Sequence, residues 1–242
     1  MTRGGADHLS ILVHEIRNPL VGIDAAARVL AGELGSHPAA KRAAAIAAEA
    51  QALLGLLDGV AEAEAADDGR LRSVLAPLDL ARTVRETVAA AHLPGRSVTV
   101  RGADAPVMVH ADDGRIRQVL RNLLLNAAQY SPPRSPIEVE LVVAPAGRSA
   151  SVHVRDRGPG IPPEERRKLF RKFTRLSTAG ATRGSGLGLY ISKAIVEEHG
   201  GEMSVASREG GGSDFQVTLR MRASSRASLK RGSRAASAGR SR

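Results

Sequence analysis

Cysteine is absent from this chain, which excludes a disulfide framework and any thiolate metal site and suits a reducing cytosol. Tryptophan is absent too, and aromatic residues make up only 2%. Any core must therefore be built from Leu, Val, Ile and Ala, which an apolar content of 43% can supply. No stretch approaches the roughly 18 uncharged apolar residues of a membrane span, and the N-terminus lacks the pattern of a signal peptide. The expectation is a soluble, cytoplasmic chain of 242 residues, long enough for one large domain or two small ones.

Acidic residues are missing from one segment. Residues 222–242 carry seven Lys or Arg, no Asp or Glu, and otherwise mostly Ser, Ala and Gly. That tail supplies seven of the ten net positive charges, so the first 221 residues carry only three. It lacks the apolar content to fold and reads as a solvated, disordered tail. Nucleic acid or another anionic partner could be engaged only there.

In residues 7–34, Leu9, Val13, Ile16, Leu20, Ile23, Ala27, Leu30 and Leu34 recur at spacings of three and four, one face of a long helix. Gly35-Ser36-His37-Pro38 ends it. A second helix carries Ile46, Ala50, Leu53, Leu57 and Val60, and Asp67-Asp68-Gly69 closes the hairpin. One copy cannot bury both stripes, and pairing with a second copy gives a four-helix bundle. Beyond residue 70 the pattern alternates. It predicts a helix over 78–91, strands over 98–101 and 108–111, a helix over 113–128, strands over 137–144 and 151–156, a helix over 189–198 and two further strands. The fold class is α+β: an N-terminal helical hairpin followed by an α/β sandwich. The expected units are 1–69, 70–221 and the tail 222–242.

Four stretches could carry chemistry, and each alone has an ordinary structural account. In His14-Glu15-Ile16-Arg17-Asn18-Pro19-Leu20, His14 falls about 140° and Asn18 about 180° from Leu9 on the helical wheel, so both face solvent while Ile16 and Leu20 turn inward. Pro19 should kink the helix. The stretch is a surface histidine on a helix, or an imidazole nucleophile whose other ring proton Glu15 accepts. On the helix over 113–128, Gln118, Asn122, Asn126 and Gln129 share an arc of about 80°. They form a solvated polar face, or neutral oxygens suited to a hard cation that keeps its waters.

Asp156 has the parity of Val152 and Val154, so it points to the buried face at the strand's end. It opens a plain Asp-x-Gly turn, or waits for an exocyclic amine, with Gly158 and Gly160 allowing a ring to approach. Gly184-Ser185-Gly186-Leu187-Gly188-Leu189 runs into the last helix. It is a flexible loop, or a cradle of bare N–H groups for polyphosphate. It is neither a P-loop nor the dinucleotide fingerprint.

In this order the stretches resemble the core of a bacterial sensor histidine kinase. His14–Leu20 resembles the H box, Asn122–Tyr130 the N box, Asp156–Ile161 the G1 box, Leu169–Phe173 the F box and Gly184–Leu189 the G2 box. His199-Gly200-Gly201 and Gly212-Ser213-Asp214-Phe215 match the usual C-terminal turn and strand. The resemblance implies the sandwich also used by gyrase, heat-shock chaperones and mismatch-repair ATPases. It implies a phosphotransferase acting on nitrogen: ATP phosphorylates His14, and an aspartate of a response regulator receiver domain then takes the phosphoryl group.

By the same resemblance Glu15 is the general base and Asn18 positions water in dephosphorylation. Asp156 binds the adenine amine, Asn126 coordinates Mg²⁺ with Asn122 in support, and Tyr130 lies against the nucleotide. Gly158, Gly160, Ile161 and Phe170 belong to that site, as do Gly184, Ser185, Gly186, Leu187, Gly188 and Leu189. Residues between Thr174 and Arg183 form a lid, and the hairpin makes a homodimer. Gln129 stands where the family usually has Lys, with Arg171, Lys172, Arg175 or Arg183 as possible substitutes. The alternative is therefore an ATP-binding regulator acting mainly as a phosphatase. Members usually carry a sensor ahead of the H box, so input is expected from a separate or upstream module, and the chain could be the cytosolic part of a membrane-anchored sensor.

Overall fold

The structure, a computed structural model, describes residues 3–174, 185–208 and 210–221, with backbone alone for residues 3–11. Gly184, nearly all of the expected lid and the basic tail lie outside the described residues.

Helix α1 runs from Arg3 to Leu34, unbroken through Pro19, and α2 from Pro38 to Asp67. The turn uses Gly35 at φ +50 and His37, whose Nδ1 accepts from the Ala39 N–H at 3.1 Å to cap α2, with Pro38 in its first turn. Arg17 pairs with Asp58, and Gln51 Nε2 donates to Asp24 Oδ2 at 2.6 Å. Two such pairs fix the register: 17 opposes 58 and 24 opposes 51, so His14 stands level with Ala61.

The seam between the helices differs from the expected stripe. On α2 the buried residues are Ala43, Ala47, Ala50 and Ala63, whereas Ile46 and Leu53 are exposed. On α1, Val13 and Ala27 are buried, but Ile16, expected to face inward, is 43% exposed, and Ile23 and Leu30 are slightly more so. Alanines permit the close approach. α2 covers one half of the α1 stripe and leaves the other half as a bare ridge. Among the described residues α2 is also the one helix long and apolar enough, by length and composition, to cross a membrane.

The rest is a two-layer sandwich. Strands β2 (Val98–Arg101), β4 (Ile137–Val143), β5 (Ser149–Arg155), β7 (Ser213–Arg220) and β6 (Glu202–Ser207) lie in the order β2-β4-β5-β7-β6, with β2 and β4 parallel and the other pairs antiparallel. Helices α3 (Leu80–Ala90), α4 (Asp113–Tyr130) and α6 (Gly188–Glu198) cover one face. One turn of helix, α5 (Pro163–Arg166), lies between β5 and α6. Leu80, Ile116, Leu123, Leu124, Ile137 and Ile195 are fully buried between the layers. Each contributes roughly 1.5–3 kcal/mol of apolar burial.

One strand was not expected. β1 (Ala76–Asp79) pairs antiparallel with β3 (Met108–Ala111), so Leu78 and Asp79 precede the helix instead of starting it. Asp79 explains the break: its Oδ1 accepts from Ala81 N–H at 3.1 Å, capping α3, and from Val107 N–H at 3.0 Å across the loop.

Candidate functional site

Helix α4 is the wall on which the site is built. Its cap, Asp112, accepts from the N–H groups of Arg115 and Val74, and these hydrogen bonds hold its carboxyl below the usual range, Val74 contributing most, despite partial burial. The Asp112 N–H in turn donates to Nε2 of buried His199 at 3.0 Å, while Nδ1 of that ring donates to the Ile195 carbonyl at 2.7 Å. The start of α4 is thereby tied to the end of α6. At the far end, Arg96 donates to the carbonyls of Ala128, Ser131 and Pro132.

Fixed at both ends, α4 turns Asn122, Asn126, Gln129 and Tyr130 into a cavity of about 250 Å³. Gln118, on the same arc, instead donates to Glu62 of α2 at 2.6 Å. Asn122 lines the cavity and also donates from Nδ2 to Ser192 Oγ at 2.9 Å.

Asp156 closes the opposite side. It follows the last residue of β5 and is 3% exposed, as its parity with Val152 and Val154 requires. Oδ1 accepts from Gly158 N–H at 2.7 Å and Ser213 N–H at 3.2 Å. Burial pushes its pKa up, against the opposing pull of those two amides. An acceptor so desolvated is suited to a ligand donor such as an exocyclic amine.

The glycine-rich loop forms the third side. Gly186 has φ +68, and an added Cβ would meet the backbone of Phe173 and Thr174 at 2.8 Å. Backbone here touches backbone. A Cβ on Gly188, the first residue of α6, would come 2.3 Å from Asn122 Oδ1. The loop thus brings the N-terminal end of α6, with its exposed amides and positive dipole end, beside the two asparagines.

Of the residues expected at a nucleotide site, Asn122, Asn126, Tyr130, Asp156, Gly160, Ile161, Ser185, Gly186, Gly188 and Leu189 line this one cavity. Three described ones do not. Gly158 uses its N–H on Asp156. Phe170 lies under the Lys193 ammonium, 5.5 Å from its ring centroid, and Leu169 faces the cavity in its place. Leu187 is 1% exposed, packs toward Gly59, and donates its N–H to Ser185 Oγ at 3.3 Å.

The sequence reading assigned no site role to Leu125, Pro159, Leu169, Thr174, Ser213 or Phe215, all of which line the cavity. Strand parity could have found Ser213 and Phe215, which share the inward face of β7. Gln129 lines it where a lysine was expected, and Lys172 is engaged elsewhere, with Glu64 and Asp67 of α2.

His14, Glu15 and Asn18 lie outside the cavity, exposed on α1. His14 forms no hydrogen bond or ion pair with any described residue. The sandwich meets the hairpin through α2: Leu187 against Gly59, Arg115 and Gln118 with Glu62, Lys172 with Glu64 and Asp67. That contact lies at the height of His14.

The architecture and the cavity define a class, and residues 111–223 match the family of histidine kinase-, DNA gyrase B- and HSP90-like ATPases. The chain is 31% identical over 215 residues to the sensor protein KdpD of Escherichia coli, covering 87% of this chain and 24% of that protein. Full-length ShkA, solved in complex with AMPPNP, superposes with a TM-score of 0.74 at 25% identity, covering 89% of this chain and 46% of that one. The mycobacterial sensor histidine kinase MprB structure gives a TM-score of 0.53 at 30% identity, covering 62% of this chain and 99% of that one. The chain belongs to the sensor histidine kinases, and it spans about a quarter of the length of KdpD.

Proposed function

We propose that this chain is an ATP-dependent protein kinase that phosphorylates its own His14 and passes the phosphoryl group to an aspartate of a response regulator receiver domain. The observation that carries the reading is the cavity itself: one buried carboxylate, Asp156, faces two amide side chains and a helix N-terminus across a glycine-lined gap. That polarity matches ATP, which has an amine donor at one end and a polyanion at the other. The AMPPNP complex of ShkA supports the same ligand class.

In this reading Asp156 accepts from the adenine amine, and Tyr130, Ile161 and Leu189 give apolar contact to the nucleoside. Gly186 and Gly188 keep side chains away from the phosphates. The neutral oxygens of Asn126 and Asn122 fit a hydrated Mg²⁺, with Asn126 the ligand and Asn122, anchored on Ser192, its support; the cation supplies charge neutralisation at the phosphates. An imidazole nitrogen of His14 attacks the γ-phosphorus as the bond to the ADP oxygen breaks, and the proton on the other ring nitrogen passes to Glu15. Asn18 positions water for the reverse, dephosphorylating direction. Two copies pair through the exposed Ile16, Ile23, Leu30, Ile46 and Leu53 ridge into a four-helix bundle.

The test is incorporation of label from γ-labelled ATP. Acid-labile, alkali-stable label that is lost in His14→Gln is expected, and label that persists in that variant removes the assignment. A second reading, a phosphatase with weak kinase activity, draws on Gln129, which lines the cavity without a charge. It predicts faster loss of phosphate from the regulator than gain of label on His14.

A further inference from the structure

Beside the cavity lies a charged cluster that the cavity itself does not use. The turn between β6 and β7 folds over the start of the turn at 156–161. The Asp156 N–H donates to the Ser213 carbonyl at 3.0 Å, and an added Cβ on Gly212, at φ +100, would stand 2.2 Å from the Asp156 carbonyl oxygen. Backbone meets backbone there, so the place of Asp156 depends on this turn.

Arg208 opens the turn. Its N–H donates to the Gly212 carbonyl at 3.1 Å, and its Nη1 donates to the Asp156 carbonyl at 3.2 Å. From the same guanidinium, Nη2 donates to both carboxylate oxygens of Glu138 on β4, at 3.1 and 3.3 Å. Arg157 also reaches Glu138, at 3.4 Å. The side chain of Arg208 is 16% exposed against 43% for Arg157, so water screens its charge less. At the other end of the 156–161 turn, Arg166 of α5 donates from Nε to the Ile161 carbonyl and from Nη2 to Ser207 Oγ.

Among the described residues, the charged and titratable groups around Asp156 are therefore Arg208, its chain neighbour Arg157, Glu138 from β4, Arg166 from α5 and Tyr130 from α4. Burial acts most strongly on the Asp156 carboxyl and disfavours its charge; the Gly158 and Ser213 amides oppose that, and the Arg208 charge pulls with them. Burial also acts against the Glu138 carboxylate, but Arg208 and then Arg157 bring its pKa below the usual range.

We propose that Arg208, held by Glu138, is a positioning residue for nucleotide binding: it clamps the Asp156 carbonyl and stands as a fixed positive charge beside the carboxylate that accepts from the base. The inference rests on the reading of Asp156 as the nucleotide acceptor. Arg208 is not among the residues lining the cavity, so it acts through Asp156.

The test is the pH dependence of affinity for a fluorescent ATP analogue with Mg²⁺, measured on the full chain. Arg208→Met should bind about five-fold more weakly at neutral pH, and its loss of affinity on acidification should begin about one pH unit higher than in wild type. Arg208→Lys, which keeps the charge, should fall between the two. Glu138→Gln leaves the guanidinium uncompensated and should move the onset the other way, to lower pH. A role confined to folding would weaken binding in these variants without moving the onset, and that result overturns the proposal. A second measurement needs no nucleotide: titration of the Asp156 carboxyl by carboxyl-carbon NMR, its resonance identified by its loss in Asp156→Asn. Arg208→Met should raise the midpoint and Glu138→Gln should lower it. If Asp156→Asn binds the analogue as wild type does, the nucleotide reading fails and takes the positioning role with it. If that variant binds weakly while Arg208→Met leaves the midpoint unmoved, only the role of Arg208 fails.

Discussion

Gly188 and the Asn122 amide occupy adjoining space: a methyl on the glycine would lie 2.3 Å from Asn122 Oδ1 and 3.1 Å from its Nδ2. The obstructed atoms are the end of a side chain, so Gly188→Ala can be accommodated by swinging the amide away, at the cost of its bond to Ser192. Melting temperature should fall by only a few degrees. Affinity for an ATP analogue, measured by calorimetry, should fall about ten-fold or more, because in the proposed reading the displaced amide is one of the two facing the phosphates. An unaltered affinity would show that Asn122 has no part in binding.

Burial raises the pKa of Asp156, so its ionised form costs folding free energy. For a carboxyl with a raised folded-state pKa, stability is lost as pH climbs from the unfolded value near 3.8 through the folded one. Asp156→Asn should therefore melt no lower than wild type at neutral pH while binding the ATP analogue about ten-fold more weakly. Wild-type affinity should also fall as acidification protonates this carboxyl, and the asparagine variant should lack that dependence. A variant that melts much lower and binds normally would reverse the assignment.

Asp112 has the opposite sign. Amides from Val74 and Arg115 hold its pKa below 3.8, so the stability it adds is complete above that pH and disappears as pH falls through the depressed value. Asp112→Ala should cost about 1–2 kcal/mol at neutral pH, with the loss of an N-cap and an orphaned Val74 N–H. The difference in melting temperature should shrink in strong acid. Thermal melts over a pH series measure both.

The bare ridge on the hairpin predicts association. Ile23 is 46% and Leu53 43% exposed, and apolar ridges along two helices are unusual on a monomer. Ile23→Glu and Leu53→Glu should each turn a dimer into a monomer by sedimentation velocity, leaving affinity for the ATP analogue within about two-fold. Dimers that survive both changes would place the interface elsewhere.

What could be read ahead of the structure followed strict periodicities. β2 and β3 begin and end where alternation put them, and Asp156 was placed by parity with Val152 and Val154. Of the stripe expected on α2, Ala50 is buried in the seam, but its neighbours there are Ala43 and Ala47 and not Ile46 and Leu53, because close packing of the two helices favours small residues over large apolar ones. β1 was missed because Pro77 argues against a strand and because four residues are too few to show a period; pairing with β3 forms it. Phe170 was expected at the cavity, and its neighbour Leu169 lines it instead. The two lie in a turn after α5, where no periodicity assigns a face; Phe170 stacks under Lys193 and Leu169 faces the cavity.

Because the described polar contacts of the sandwich with the hairpin fall on α2, between Glu62 and Asp67, its bearing around the hairpin is set by how many residues separate that grip from the turn at Gly35. Each residue added to α2 ahead of Gly59 would swing the nucleotide cavity by about 100° and carry it about 1.5 Å along the axis. In the proposed dimer, helix length, with no change to any residue in the cavity, would thus decide which of the two His14 imidazoles a bound phosphate faces.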